Sequence, residues 1–328
     1  MTPLVPILVF WSFLGTTLGD YIPGTPGEAW TNEEVAIVKS KLYDVIVRGG
    51  GSRAMGKLHD VWPDEWPQEY SKVREPDAPK FLRLAFHDCL KYQDGTGGCD
   101  GCLNMKNLGH KYGVWQNGKF NPDAQWLDHD DLYDDLTTSD NNGLELTAKV
   151  LEGIYIDPKY PSGTPKLEHS LFKLGKSRAD LWSLAAITAV EFGVENNNLA
   201  CQGPEAYLNG DLLQPPLNQC NHAYAANSST CLVNMPRKIQ FQTGRIDCIP
   251  DPNANETYFT TKPEHHPSVQ GNGQDTVDFF EDVFDFNGEE MVAIMGAHTM
   301  GKMHAEISLF RYTWTTAGRE LFNNHYFK

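Results

Sequence analysis

Arg83 and His87 stand four residues apart in the segment Phe81-Leu-Arg-Leu-Ala-Phe-His-Asp-Cys89. On a helix that spacing stacks the guanidinium and the imidazole on one face. An imidazole can take and return a proton near neutral pH, and a cation beside it stabilises charge developing on a neighbouring oxygen. Leu82, Leu84, Ala85 and Phe86 make the other sides of this helix apolar, which predicts burial. A buried Arg and His need a polar partner, and a cofactor cavity would supply one.

His298 lies within a second apolar run, Glu290-Met-Val-Ala-Ile-Met-Gly-Ala-His-Thr-Met-Gly-Lys-Met-His304. The run predicts a buried helix. Gly296, Ala297 and Gly301 leave room around the imidazole for a bulky planar group. Two readings stay open from these residues alone: a hydrogen-bonded core histidine or a metal ligand.

The elements that must position these groups are mostly α. Thr31-Asn32-Glu33-Glu34 has the form of a capping box, and Val35, Val38, Leu42 and Val45 follow at helical spacing. Further helices are predicted over about 80–91, 142–155, 178–192, 276–284 and 289–303. Lys238 to Thr243 alternates as one short strand at most. Polar segments over 109–142, 195–237 and 248–274 read as long functional or disulfide-tied loops.

Met1 to Gly19 is short, apolar and N-terminal, ends in small residues and is followed at once by Asp20, so residues 1–19 read as a signal peptide. The expected destination is therefore extracellular. No later segment approaches the roughly 20 apolar residues of a membrane span. The net charge of −16 disfavours a nucleic-acid partner. Seven cysteines suit a disulfide framework with one thiol left over, and Asn227-Ser228-Ser229 and Asn255-Glu256-Thr257 are glycosylation acceptors in an exported chain. The acidic stretch Asp128 to Asp135 and the triplet Glu264-His265-His266 read as solvated loops rather than metal sites.

Several separated blocks resemble the plant-type haem peroxidase superfamily, in the right order. Arg83-Leu-Ala-Phe-His-Asp88 is similar to its distal-helix motif, and Gly296-Ala-His-Thr-Met-Gly301 to its proximal-histidine motif. Between them, Asn141-Asn-Gly-Leu144 resembles the segment whose Asn bonds the distal His. Ala179-Asp-Leu-Trp-Ser-Leu-Ala-Ala186 resembles a buried helix of the family, and Gly244-Arg-Ile-Asp247 its Gly-Arg-x-Asp turn. Phe86 and Asp88 are similar to the secreted plant and fungal branches, whereas His304 and Tyr312-Thr-Trp-Thr315 resemble the ascorbate peroxidase branch.

The resemblance implies a two-lobed helical fold over 20–328, with haem b between a mainly distal lobe (20–192) and an incomplete proximal lobe (193–328). It implies reduction of hydrogen peroxide and one-electron oxidation of a small reducing donor. Arg83, His87 and Asn141 would be catalytic, and His298 the axial iron ligand. Phe86 and Trp314 would line the haem, with His304 near a propionate. Asp88, the Gly98 carbonyl and Asp100 match ligands of a distal calcium site, where Cys102 replaces the usual Ser and can instead join a disulfide. Cys89 with Cys99 matches a family bridge, and Cys201, Cys220, Cys231 and Cys248 would form two more. Thr299 and Thr315 match part of a proximal cation site, although Asn323 replaces its Asp. The family continues beyond Phe327 and supplies there an Asp that bonds the proximal His. Without it, this chain is expected to be C-terminally truncated, to bind haem weakly and to be less active. The competing expectation is a non-catalytic secreted haem-binding or matrix protein on the same scaffold.

Overall fold

The computed structural model describes residues 20–49, 78–105, 115–116, 119–120, 141, 143–202, 239–250, 257–268, 271–301, 314, 322 and 325–327. Helix α1 (Asn32–Gly49) begins at the expected capping box. The Glu34 backbone N–H donates to Thr31 Oγ1 at 3.1 Å, and Glu34 Oε2 accepts from the Thr31 N–H at 2.6 Å. Val38, Leu42 and Ile46 then bury one stripe of α1. Helix α2 (Ala78–Cys89) carries Arg83 and His87 and buries Phe81, Leu84 and Ala85. Helix α3 (Glu145–Ile156) is buried along Leu146, Val150, Leu151 and Ile154.

Helix α4 (Arg178–Gln202) packs against α1, α2 and α3, so it is the element on which the distal helix rests. It runs past Phe192, where the periodic pattern ended. Val194, Asn196 and Asn197 are buried there, and tertiary packing overrides the weak helix propensity of the asparagines. Its start is held by Asp247, whose carboxylate accepts from the N–H groups of Arg178 and Ala179, both at 2.9 Å. The Gly244-Arg-Ile-Asp247 turn is tied to the same helix, since Asp180 accepts from the Gly244 N–H and from Arg245 Nη1.

Strands are minimal. Leu103–Asn104 (β1) pairs in parallel with Phe259–Thr260 (β4), and Trp115–Gln116 (β2) pairs antiparallel with Lys119–Phe120 (β3). Residues 239–243 form no strand, contrary to the alternation there. Phe241 instead packs edge-on against Trp30, with ring centroids 5.5 Å apart.

Helices α5 (Gly273–Phe284) and α6 (Gly288–Met295) each open on a capping box, Asn272 with Asp275 and Asn287 with Glu290. The single helix expected over 289–303 is broken. Helix α6 ends at Met295, a 3₁₀ turn covers Gly296–Thr299, and Gly301 takes φ +90°. The expected burial of this run is also not observed, because α6 has no buried residue and Val292 is 45% exposed. No helix among the described residues is long and apolar enough to cross a membrane.

Candidate active site

Helix α2 supplies His87, and the turn before α3 supplies Asn141, which is completely buried. His87 Nδ1 lies 2.8 Å from Asn141 Oδ1. The other end of the same amide faces acceptors only: Nδ2 donates to the Asn104 carbonyl at 2.9 Å and to Glu264 at 2.9 and 2.8 Å. Oδ1 must therefore be the atom turned to His87, and it can only accept. The proton of neutral His87 is thus on Nδ1, and Nε2 keeps its lone pair. Burial, then the Arg83 charge and then a charge on His266 push the His87 imidazole well below its ordinary value, against the upward pull of the Asn141 bond.

Glu264 and His266 are parts of this site that the sequence reading left as solvated loop. Glu264 is 8% exposed, and besides Asn141 it accepts from the Asn104 N–H at 2.9 Å and pairs with His266 Nε2 at 2.9 Å. The His266 ring lies 5.3 Å from that of His87. Backbone pairing fixes this segment, with Gln93 N–H donating to the Pro263 carbonyl and His265 N–H to that of Lys91. The flanking Pro263 and Pro267, with side chains alternating in and out, were the available signal.

On the other side, His298 sits in the 3₁₀ turn after α6. Its Nδ1 lies 3.1 Å from the Met295 carbonyl, an acceptor only, so Nδ1 is the donor and Nε2 is left with the lone pair. Burial lowers its pKa, and the Met295 bond offsets this only in part. The Trp314 ring lies 4.4 Å from His298, and Tyr326, unforeseen from sequence, 5.3 Å. The glycines here serve protein packing: a Cβ at Gly296 would meet Phe327 at 3.3 Å, and one at Gly301 would meet Pro79 at 3.1 Å. The second contact joins the His298 segment to the start of α2. Phe86 connects α2 to α5 through Phe280, ring centroids 6.3 Å apart. Thr299 is fully buried beside His298. His304, Thr315 and Asn323 lie outside the described residues, as do the 128–135 acidic stretch and the asparagines of both glycosylation signals.

Asp88 and Asp100 lie close together behind α2. Asp88 Oδ1 accepts from the N–H groups of Gly101 (2.7 Å) and Cys102 (3.2 Å), while Tyr92 Oη donates to Asp100 at 3.1 Å. Burial raises the Asp88 carboxyl well above its ordinary value, and the Asp100 charge adds to this. Asp100 is itself pushed up to about 6, chiefly by burial. No group of three or more His, Cys, Asp or Glu among the described residues is arranged to hold a metal ion. Cys89 pairs with Cys99, as the resemblance implied. Cys102 pairs with Cys248, which removes Cys248 from the set expected with Cys201, Cys220 and Cys231. The two chain segments already meet there, since the Cys248 N–H donates to the Asp100 carbonyl at 2.7 Å.

A neutral imidazole with a free Nε2 is the donor that haem iron takes, and His298 fits it. The apolar α6 beside it, with no residue buried, fits a large apolar partner. Fold and site together define a mostly helical protein with a candidate haem ligand in His298. A family model described as Peroxidase matches residues 211–327. The mitochondrial cytochrome c peroxidase of Cryptococcus neoformans var. neoformans serotype D is 25% identical over 297 residues, covering 87% of this chain and 55% of that protein. A putative heme-binding peroxidase of Yarrowia lipolytica is 23% identical over 293 residues, covering 88% of this chain and 65% of that one. The chain thus spans somewhat more than half the length of these curated relatives. It is similar, at low identity and over most of its own length, to proteins described as peroxidases.

Proposed function

We propose that this protein is a haem-dependent peroxidase that reduces hydrogen peroxide to two waters while two molecules of a small donor each give up one electron and one proton. The observation that carries the reading is the Asn141 amide, anchored by Asn104 and Glu264, which leaves Nε2 of neutral His87 as the free base. His298 Nε2 would hold haem b, with Phe86 and Trp314 lining it and His304 near a propionate. When bound, the haem supplies the iron at which the O–O bond breaks and stores the oxidising equivalents.

His87 Nε2 takes the proton from one peroxide oxygen and returns it to the other, a transfer that typically contributes about 10²- to 10⁴-fold. Arg83 stabilises the charge growing on the departing oxygen. In support, its charge acts on His87 of the same helix and on Glu145 at the start of α3. Calcium at Asp88, the Gly98 carbonyl and Asp100 is the proposed second cofactor, supported by the buried Asp88 carboxyl, which burial and the Asp100 charge beside it raise. Export is the proposed destination, supported by two disulfides.

The test is peroxide-driven oxidation of a phenolic dye by the haem-loaded chain. His87→Ala is expected to lower the rate about 10²-fold or more, with the Soret band retained. A haem-loaded wild type that turns over no donor would instead support the non-catalytic binding protein.

A further inference from the structure

Glu264 and His266 share one side of a short rigid segment. The bridge between Tyr92 and Glu264 sets the register, and alternation turns Glu264 and His266 towards α2 while His265 is exposed. Glu264 then serves three donors from three parts of the chain: the Asn104 N–H, Asn141 Nδ2 and His266 Nε2. A buried carboxylate is costly unless it is paired and fully hydrogen-bonded, so this degree of satisfaction is what keeps it in place. Its position in turn decides the orientation of the Asn141 amide, and the amide decides which nitrogen of His87 carries the proton.

We propose that His266 is a second distal histidine, a positioning residue that acts through Glu264 and Asn141 to keep His87 ready as a base. The inference rests on the peroxidase reading for its purpose but not for its test. Its ring N–H holds the Glu264 oxygen that also receives the Asn141 amide. Its ring stands 5.3 Å from that of His87, so the two imidazoles share one site. With His266 absent, that oxygen loses a fixed donor, and the amide that orients His87 is held less firmly.

The experiment is long-range ¹H–¹⁵N spectroscopy of the full chain without haem, labelled at histidine, across a pH series. It reads the His87 tautomer whether or not the haem-loaded chain turns over. In the wild type, His87 is expected as the single Nδ1–H tautomer. His266→Gln is expected to admit a detectable Nε2–H fraction at His87. Glu264→Gln is expected to mix the two His87 tautomers further, and Glu264→Asp to restore most of the Nδ1–H form. His266 is partly exposed, so that variant keeps the test usable if Glu264→Gln fails to fold. A His87 tautomer unchanged in folded His266→Gln or in folded Glu264→Gln overturns the proposal. Absence of turnover with these tautomer changes present would sink the peroxidase reading and leave the His266 assignment standing.

Discussion

Asn141→Ala should be among the most destabilising single substitutions in the distal region. The side chain is fully buried and holds four acceptor or donor atoms at 2.8 to 2.9 Å. Losing the two neutral bonds, to His87 and to the Asn104 carbonyl, costs about 1 kcal/mol each. Losing the donor to the buried Glu264 carboxylate costs about 2 kcal/mol more, because the charge stays behind. The sum is about 4 kcal/mol, or a fall in the urea midpoint of about 1.3 M at a slope of about 3 kcal/mol/M.

Asn141→Asp separates volume from charge. It keeps the acceptor for His87 but turns a second carboxylate towards Glu264, and two such groups cannot both ionise cheaply. One carboxyl is then raised in the folded state, so its stabilisation is present at low pH and lost as pH rises through the folded value. The Asp variant should therefore match Ala near pH 7 and recover below about pH 5, whereas Ala should not recover. Urea unfolding of both variants at the two pH values checks this. A loss under about 1 kcal/mol in Asn141→Ala, or no pH-dependent recovery in Asn141→Asp, would refute the reasoning.

Replacing Cys102 and Cys248 together by Ser opens a bridge that closes 146 residues, and the chain-entropy cost is about 5 kcal/mol at most, read as a fall in thermal midpoint. Asp100, pushed up to about 6 from an ordinary 3.8, favours the folded state below about pH 4 and loses that contribution as pH rises through about 6. In EDTA, wild type should lose about 2 kcal/mol from this group between pH 4.5 and 7.5, and Asp100→Asn should show a flatter profile. Calcium at pH 7.5 should raise the melting temperature of wild type but not of Asp100→Asn. Equal slopes in EDTA would contradict the burial argument, and equal calcium responses the cation site.

The helices with an uninterrupted stripe were legible because one period decides them: α1 starts at its Thr31 and Glu34 box, and α2 buries Leu84 and Ala85 of the apolar set read from sequence. The end of α4 was not, since Asn196 and Asn197 are helical only through packing that no local pattern encodes. The 289–303 run failed for the opposite reason, with Gly301 at φ +90° outweighing a continuous apolar pattern. At the site, the His87 to Asn141 bond was foreseeable through family resemblance. Glu264 was not, because its role comes from pairing across 160 residues to Asn104 and 123 to Asn141, a distance over which residue type alone says nothing.

The central claim is that His298 offers a free Nε2 to haem iron, and haem titration of the full chain, followed at the Soret band for wild type and His298→Ala, tests it most directly. The expected result is saturation at about one haem per chain in wild type, with the histidine-ligated band lost in His298→Ala and restored by added imidazole. An unchanged Soret spectrum and affinity in His298→Ala would contradict the account.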